Sequence, residues 1–465
     1  MPERILFLTG HLARPRLEKV LSELADPGFD WSIHDIGVKV AALMTETIIS
    51  RRLPRPVQAN RILLPGRCRA DLGRLSAQFE VPFERGPEEL KDLPAYFGKG
   101  GHPPDLSRYD VCIFAEIVDA SALSVDVIRE RALRMREAGA DVIDLGCLPD
   151  TPFPHLEDAV GELKRAGLSV SVDSGNVEEL RRGGRAGADF LLSLTEKTLD
   201  IAAETGASPV LVPAGHGDLA SLLRAAELAE KRGIAAILDP VLDPIHFGFM
   251  ASLARYAELR HRLPEAEILM GTGNLTELTD ADSGGVTAAL LGICSELAIR
   301  NVLVVQVSPH TRRTIQEHDA ARRLMFAARA DASLPKDISD ALLALHARKP
   351  FPNTPQEISE LAAEVKDANF RIEIAEDGIH VYNRDGHYVT QDALSVFPKL
   401  GIERDAPHAF YLGTELAKAE IAWRLGKRYA QDEPLDWGCA VDREPEDLTR
   451  LREAGHTLRG SKPES

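Results

Sequence analysis

The sequence predicts an α/β fold in which a (β/α)8 TIM barrel at residues 106–332 is flanked by two smaller domains. Two observations predict the barrel: within residues 111–329, short apolar runs rich in β-branched residues alternate eight times with amphipathic helical segments, and several runs end in one polar residue. Eight such units in this length suit a closed barrel. Because the carboxyl ends of barrel strands converge, we expect one pocket to contain the following residues: Glu116, Asp144, Asp173, Ser193, Asp239, Asn274 and Gln306.

The eight apolar runs are the predicted barrel strands. In chain order they are Val-Cys-Ile-Phe-Ala-Glu116, Asp-Val-Ile-Asp144-Leu-Gly, Leu-Ser-Val-Ser-Val-Asp173, Phe-Leu-Leu-Ser193, Pro-Val-Leu-Val-Pro213, Ala-Ala-Ile-Leu-Asp239, Glu-Ile-Leu-Met-Gly-Thr-Gly-Asn274 and Val-Leu-Val-Val-Gln306. Runs of this kind are typical of parallel strands whose two faces are both covered.

Residues 1–105 are predicted to form an open, Rossmann- or flavodoxin-like α/β domain. Strands are expected at 4–9, 61–64 and 81–83, with helices at 16–24 and 38–52. The loops Thr-Gly-His11 and Pro-Gly-Arg67-Cys-Arg69 follow two of these strands and could hold an anion, although ordinary loop geometry also accounts for them. Neither carries the Gly-x-Gly-x-x-Gly pattern of dinucleotide-binding loops.

Residues 333–465 are predicted to form a small α+β domain, reached from the barrel through a mixed, proline-punctuated stretch. A β-hairpin is expected from strands at 370–375 and 379–382 with a turn at Gly378, followed by a second turn at Gly386 and a helix at 408–429. The charged tail 443–465 is expected to fray. The Gly- and Pro-rich residues 96–104 are predicted to form the linker between the amino-terminal domain and the barrel.

Composition excludes several classes of protein. The net charge of −17 disfavours nucleic-acid binding, which needs a basic face. The five cysteines form no Cys-x-x-Cys pair, and no signal peptide or membrane span is visible, so we expect a soluble, cytoplasmic protein. The histidines lack the paired spacing of zinc ligands, so no metal is expected and these five are interpreted as turn or loop residues: His11, His102, His216, His246 and His310.

The strand-end carboxylates are the best candidates for chemistry. Asp173 could simply cap the helix that follows it, whereas Asp239 precedes a proline and a long loop. Several acids at one barrel mouth repel each other, and they favour a ligand that offers hydrogen-bond donors. A guanidine-like edge pairs with a carboxylate through two parallel N–H···O hydrogen bonds, and a 2-amino-4-oxo pterin presents such an edge. Asn274 and Ser193 could then contact the remaining ring atoms.

The barrel motifs resemble those of the pterin-binding superfamily, which contains dihydropteroate synthases and pterin-dependent methyltransferases. The resemblance rests on Ala-Asp-Val-Ile-Asp144-Leu-Gly, Leu-Ser-Val-Ser-Val-Asp173-Ser, Ala-Asp-Phe-Leu-Leu-Ser193 and Ile-Leu-Asp239-Pro. It implies that Asp144 lies deep in a pterin pocket and that Asp173 and Asp239 bind the pterin ring. Ser193 replaces the asparagine of the family.

Two segments depart from the synthase pattern. Gly-Thr-Gly-Asn274 stands where the synthases carry Ser-Arg-Lys and is closer to the Gly-x-Ser-Asn of the methyltransferases. The last strand leads into Gln306-Val-Ser-Pro-His310-Thr-Arg312-Arg313 instead of Arg-x-His-Asp, so Arg312 or Arg313 could receive a diphosphate. The later His318-Asp319 pair is predicted to lie on an ordinary helix surface.

The three-part organisation is similar to that of dihydropteroate synthase-like proteins of archaea and methylotrophs, which are associated with tetrahydromethanopterin. Residues 408–420 resemble a domain shared with a corrinoid-carrying methyltransferase subunit. The resemblance implies a homodimer, contacts with other proteins of that pathway, and transfer of a dihydropterinylmethyl group to an arylamine, with Asp173, Asp239 and Arg312 in the reaction. The alternatives are a methyltransferase-type enzyme acting on a reduced pterin, a non-catalytic pterin carrier, or strand-end acids that only cap helices in a barrel with an unrelated ligand.

Overall fold

The computed structural model describes residues 2–11, 13–24, 28–38, 41, 44–87, 90–97, 105–149 and 151–442. The described residues divide into two compact units, one formed by residues 105–344 with 437–442 and the other by residues 2–97 with 345–436. The first unit contains the barrel. The division into domains at 1–105, 106–332 and 333–465 stays a prediction.

The barrel is closed by eight parallel strands, as the sequence predicted. The strands are β5 (Cys112–Ile117), β6 (Val142–Gly146), β7 (Ser169–Asp173), β8 (Phe190–Leu194), β9 (Ser208–Leu211), β10 (Ile237–Leu238), β11 (Glu267–Gly271) and β12 (Asn301–Val305). Their spatial order is β10-β11-β12-β5-β6-β7-β8-β9.

The helices of this unit surround the barrel and bury one apolar face each. They are α5 (Val125–Glu137), α6 (Leu156–Arg165), α7 (Val177–Arg185), α8 (Asp200–Thr205), α9 (Leu219–Lys231), α10 (Phe249–Arg262), α11 (Gly273–Thr276), α12 (Ser283–Glu296) and α13 (Thr314–Ala330). The resulting core lies between strands and helices and includes Ile113, Ile143, Val170, Leu222 and Leu291, all essentially unexposed.

The barrel interior has an apolar layer beneath its mouth. Successive side chains of a strand point to opposite faces, so residues two apart share the interior. Phe114, Val142, Leu192, Val210, Ile237 and Leu269 form this layer. Two residues further along β5 and β6, the same alternation brings in Glu116 and Asp144, and the residue two after Ile237 is Asp239. The mouth is therefore polar and lies above an apolar layer, which excludes water from below.

The amino-terminal residues form a parallel sheet with the order β2-β1-β3-β4. Its strands are β1 (Glu3–Thr9), β2 (Phe29–Asp35), β3 (Arg61–Leu64) and β4 (Phe83–Arg85), and its helices are α1 (Arg14–Ser22), α2 (Glu46–Arg52), α3 (Leu72–Phe79) and α4 (Leu93–Tyr96).

Two sequence expectations for this sheet need correction. The strand Phe29–Asp35 was not expected, because its polar and apolar residues do not form a continuous apolar run. The helix expected at 38–52 begins only at Glu46, because Thr45 is extended and its side-chain oxygen accepts a hydrogen bond from Ile48 N, which caps the helix there. Residues 39–40, 42–43 and 98–104, the last of which include His102 and most of the expected linker, lie outside the described residues.

The carboxyl-terminal part contains the predicted hairpin and a third strand after the turn at Gly386. The elements are α14 (Pro355–Ala363), β13 (Arg371–Ala375), β14 (Gly378–Asn383), β15 (Gly386–Thr390), α15 (Ala393–Val396) and α16 (Ala406–Leu425), with an antiparallel sheet in the order β13-β14-β15. The tail 443–465 lies outside the described residues. Within the described residues, every helix lacks the length and apolarity needed to cross a membrane.

The prediction that His318 lies on a helix surface is wrong. Its side chain is completely buried in α13, where Nε2 lies 2.9 Å from Thr272 Oγ1 and Nδ1 lies 2.7 Å from the Thr314 carbonyl. Burial lowers the pKa of His318 to about 4. The imidazole is therefore a neutral structural link between α13 and the end of β11, and Asp319 pairs with Arg322 and Arg323.

Candidate functional site

Glu116 and Asp144 are neighbours at the barrel mouth. They lie opposite each other in the register of β5 and β6. Gly146 leaves the space that the Glu116 side chain occupies, because a Cβ at position 146 would lie 2.5 Å from Glu116 Oε1. The presence of glycine at position 146 is thus explained by the space that the Glu116 side chain needs, and not by the backbone conformation of Gly146.

Asp144 is the deepest carboxyl group of the mouth and has no exposed surface. Its Oδ1 accepts a 2.5 Å hydrogen bond from Ser171 Oγ on the adjacent strand β7. Its Oδ2 is buried and has no hydrogen-bond partner among the described residues. An unsatisfied buried carboxyl oxygen is costly, so this atom calls for a donor from outside the chain.

Asp173 ends β7 and is held by Ser193, whose Oγ donates to Asp173 Oδ1 at 2.6 Å. Ser193 has a φ of +62°, and the register of β8 and β9 shifts between Leu191 and Leu194. Such a bulge re-aims a side chain, and here it brings Ser193 to Asp173. The cap of α7 is Asn176, whose side chain accepts a hydrogen bond from Glu178 N, so Asp173 does not serve as the helix cap.

Asp239 follows the short strand β10 and is fixed through one of its two oxygens. Oδ1 accepts 2.8 Å hydrogen bonds from Val241 N and from the hydroxyl of the completely buried Tyr256. Val241 has a φ of +66°, which is unusual for a β-branched residue. Arg255 supports this turn by donating to the Pro240 and Val241 carbonyls and to Asp243.

The carboxyl groups of Glu116, Asp144, Asp173 and Asp239 interact electrostatically. Burial raises the pKa of Glu116 to about 7, with a further contribution from the charge of Asp173. Burial, followed by the charges of Asp173 and Glu116, raises the pKa of Asp144 well above its usual range. Burial also raises the pKa of Asp173, and it raises that of Asp239 to about 6 despite the hydrogen bonds from Val241 and Tyr256. Asp173 also acts on Asp239, so both belong to one electrostatic cluster.

A pocket of about 280 Å³ opens beside this cluster. Among the described residues, its lining contains two acids and no lysine or arginine: Glu116, Val118, Gly146, Cys147, Leu148, Pro149, Asp173, Ser174 and Gly175. The lining therefore favours a neutral or cationic group over an anionic one.

The remaining expected site residues make local contacts. The exposed Asn274 lies in α11, not at a strand end, and its Nδ2 donates to the Leu242 carbonyl at 2.7 Å. Gln306 Nε2 donates to the Arg312 carbonyl. The exposed Arg312 guanidinium makes no ion pair with a described residue, whereas Arg313 donates to the Cys439 carbonyl and to Asp442.

Ser171, Tyr256 and Arg255 were missed by sequence reasoning. Ser171 lies two residues before Asp173 on a strand, and this period-2 spacing was a usable signal for a residue on the same face. Tyr256 and Arg255 lie in an amphipathic helix, where helical spacing indicates core or surface positions and does not reveal which carboxylate a hydroxyl or guanidinium contacts. No three His, Cys, Asp or Glu side chains among the described residues are placed to hold a metal ion.

The fold and site define a (β/α)8-barrel protein with a carboxyl-lined mouth. Residues 3–88 match a family of unknown function, DUF6513. An uncharacterized protein of Methanocaldococcus jannaschii is 25% identical, over 92% of this chain and 98% of that protein.

Solved structures similar to the chain include two dihydropteroate synthases. The Yersinia pestis enzyme, solved with a pterine-sulfa conjugate, is 22% identical over 49% of this chain and 95% of its own, with a TM-score of 0.38. The 7,8-dihydropteroate synthase of Vibrio fischeri is 16% identical over 49% of this chain and 95% of its own, with a TM-score of 0.39. Similarity at this level assigns neither ligand nor reaction to the chain.

Replacing Glu116 by glutamine tests the electrostatic cluster. Because the folded protein binds the Glu116 proton more tightly than the unfolded chain does, stability should fall as the pH rises from the usual glutamate range through about 7. We expect Glu116→Gln to be more stable than the wild type at pH 8 by about 1–3 kcal/mol, with the difference shrinking towards pH 5.

Urea unfolding at both pH values measures this difference. Glu137→Gln, which neutralises an exposed carboxylate at the end of α5, is the matched control and should leave the pH dependence unchanged. Equal pH profiles for Glu116→Gln and the wild type would contradict the raised pKa.

Proposed function

We propose that the barrel mouth binds the donor edge of a 2-amino-4-oxo pterin. The observation that carries this proposal is the buried carboxyl cluster with the unpartnered Oδ2 of Asp144. Clustered acids with raised pKa values become stable as carboxylates only when donors or positive charge approach them. The ring N–H and the exocyclic amino group of a pterin supply such donors without requiring a metal.

Each carboxyl group would keep one oxygen for its protein partner and offer the other to the ligand. Ser193 occupies Oδ1 of Asp173, and Val241 and Tyr256 occupy Oδ1 of Asp239. In both cases Oδ2 makes no hydrogen bond with a described residue and would accept from the ring. Asp144 Oδ2 would accept from the part of the ring that enters deepest, and Glu116 would line the same wall. Carboxylates fixed in this way can bind a flat ring in a single orientation.

Amide oxygens at the rim would accept hydrogen bonds from N–H groups at the outer edge of the ring. The Nδ2 of Asn274 and the Nε2 of Gln306 are engaged by backbone carbonyls, which leaves Asn274 Oδ1 and Gln306 Oε1 to face a ligand as acceptors. Ser193 would contribute its hydroxyl oxygen. These roles follow the sequence resemblance.

For the reaction, we propose a transferase that moves a dihydropterinylmethyl group to an arylamine. The bond between the methylene carbon and the diphosphate oxygen breaks and the diphosphate leaves with the electron pair. The amine nitrogen then bonds to that carbon and loses a proton. Asp173 and Asp239 would hold the ring and stabilise the positive charge that develops on it. Arg312 would receive the diphosphate, and its exposed guanidinium, which forms no ion pair with the described residues, supports this role.

A methyltransferase-type reaction on a reduced pterin is the second candidate. The described lining of the pocket beside Glu116 and Asp173 contains no basic side chain, and Arg313 is engaged by Asp442. Both features suit a ligand without a diphosphate. A non-catalytic pterin carrier would share this binding mode and differ only in having no turnover.

The biological setting is proposed from the sequence resemblance alone. We propose that the chain acts in tetrahydromethanopterin-associated one-carbon metabolism in the cytoplasm, as a homodimer that contacts other proteins of the pathway. Size-exclusion chromatography with light scattering would test the dimer directly.

Asp239→Asn tests the pterin site. Losing one ionic acceptor should weaken binding of a reduced pterin by about 1–3 kcal/mol, measured by calorimetry at pH 7.5. Because the pKa of Asp239 is raised to about 6, wild-type affinity should fall below pH 6, by about tenfold per pH unit, as the carboxylate takes up a proton. The variant should lose the part of this pH dependence that Asp239 contributes, while the contributions of Glu116 and Asp144, whose pKa values are also raised, remain.

Glu230→Gln is the control for that measurement, since it removes an exposed carboxylate from the last turn of α9, which precedes the amino end of β10 and so lies at the end of the barrel opposite the mouth. Wild-type affinity in Asp239→Asn, or a pterin that does not bind the wild-type protein at all, would refute the site.

Arg312→Gln separates the two candidate reactions. If the chain is a synthase, 6-hydroxymethyl-7,8-dihydropterin diphosphate should bind at least about tenfold more tightly than the same pterin without diphosphate, since one charge-assisted contact is lost with the diphosphate. Arg312→Gln should erase that preference and leave the affinity for the unphosphorylated pterin unchanged. Equal affinities of the wild type for the two ligands would reject the synthase reaction and favour the methyltransferase-type alternative.

A further inference from the structure

The outward face of helix α13 borders a second pocket, outside the barrel. Gln316, Asp319, Ala320 and Arg323 follow the spacing of one helix face, and none of them is among the residues of α13 that are buried against the barrel. Together with residues from three other parts of the chain they line a pocket of about 260 Å³. All of its described lining residues belong to the compact unit that contains the barrel.

The wall of the pocket that contains Cys439 is held in place by backbone contacts. The Cys439 N–H donates to the Ala341 carbonyl at 2.7 Å, and the Cys439 carbonyl accepts from Arg313 Nε at 3.0 Å. Gly438 has a φ of +55°, and a Cβ at this position would collide with the Ala341 carbonyl oxygen. Because these contacts tie the segment to its neighbours, the pocket is already formed in the folded chain.

The charges in the lining neutralise each other. Asp319 is the only acid and Arg323 the only base among the described lining residues, and Arg323 Nε donates to Asp319 Oδ2 at 2.8 Å. Arg322 also donates to Asp319, and Arg323 Nη1 donates to the Leu106 and Ser107 carbonyls. Since both charged groups are engaged by the chain, a neutral ligand is favoured over a charged one.

The carboxamide of Gln316 is a polar group of the lining that the chain does not use. It makes no hydrogen bond with a described residue, and its Oε1 is buried. A buried polar atom without a partner is costly, so a ligand that supplies one is stabilised. The last torsion of a glutamine side chain is soft, and the amide can turn its oxygen or its nitrogen towards the pocket.

The rest of the lining is small or apolar. Leu106, Ala138, Ala320 and Ala341 supply apolar surface, and the Ser339 hydroxyl accepts from Ala341 N at 3.2 Å and donates to no described residue. Apolar walls with few polar groups are typical of small-molecule sites, in which the polar groups fix the orientation of the ligand.

We propose that this pocket binds a small neutral molecule whose flat ring carries an amide edge, either as a carboxamide or as a ring lactam. Such an edge presents an N–H donor beside a carbonyl acceptor, and the Gln316 carboxamide presents the complementary pair. The two amides form two hydrogen bonds, and the ring packs against Leu106, Ala138 and Ala341. The site shares no residue with the barrel mouth and does not depend on the pterin proposal.

Calorimetry on the full-length chain tests the proposal with two matched pairs of probes. Nicotinamide carries the carboxamide and nicotinate replaces it by a carboxylate, whereas uracil carries the lactam and 1,3-dimethyluracil lacks its N–H groups. We expect the amide-bearing member of a pair to bind at least about tenfold more tightly than its analogue. The analogue cannot donate to the Gln316 oxygen, and nicotinate also brings a charge into a neutral lining.

Three variants locate the binding site. Gln316→Leu should weaken binding by about tenfold, because both hydrogen bonds to the carboxamide are lost. Ala320→Leu keeps the carboxamide but fills the pocket, and it should weaken binding at least as much. Gln356→Leu is the matched control, because it removes an exposed carboxamide from α14 in the other compact unit and should bind like the wild type.

The two pairs of probes distinguish the source of the amide edge. Binding of nicotinamide alone assigns a carboxamide, binding of uracil alone assigns a lactam, and binding of both assigns the amide edge irrespective of its source. A wild-type protein that binds neither, an analogue that binds as tightly as its parent, or wild-type affinity in Gln316→Leu would overturn the proposal. Circular dichroism checks the fold, and Ala320→Leu keeps the test valid if Gln316→Leu unfolds.

Discussion

The repulsion among carboxyl groups buried in one barrel mouth is the constraint on which the site depends. Glu116, Asp144, Asp173 and Asp239 share a space above an apolar floor, where burial limits the screening of their charges by water. Burial raises all four pKa values, so the carboxyl groups of the mouth retain protons that an exposed cluster would lose. The chain tolerates this arrangement because hydroxyl groups hold three of the acids: Ser171 for Asp144, Ser193 for Asp173 and Tyr256 for Asp239.

The same constraint explains why unusual backbone conformations occur at the mouth. Ser193 and Val241 both adopt positive φ, which costs free energy for a residue with a side chain and is rarer still for valine. Each places a donor on a carboxylate oxygen, the Ser193 hydroxyl on Asp173 and the Val241 N–H on Asp239. Arg255 anchors the second turn through two carbonyls. The strained backbone at these two positions thus orients the donors that hold Asp173 and Asp239 in place.

The barrel was predictable because short runs rich in β-branched residues, alternating eight times with amphipathic helices, are typical of buried parallel strands, and the alternation of side chains then places the acids together. What the sequence did not reveal depends on contacts between distant residues. Ser193 reaches Asp173 only through a bulge, His318 is buried because Thr272 and Thr314 face it, and Asn274 falls in a short helix after β11. The strand at Phe29–Asp35 escaped detection because pairing with β1, not its own apolar content, makes it a strand.

The distribution of charge around the mouth then constrains how a ligand enters. Acids from β5, β6, β7 and β10 line the deep side, while the exposed Arg312 follows β12 near the rim. Consider a ligand that has hydrogen-bond donors along one edge and an acidic substituent elsewhere. Its electrostatic interaction with these charges is favourable only when the donor edge points inward, towards the acids, and the substituent points outward, towards Arg312. The unpartnered Oδ2 of Asp144 reinforces that direction, because the deepest acceptor is satisfied only by a group that reaches it. Orientation would therefore be set by electrostatics before any side chain at the rim makes contact.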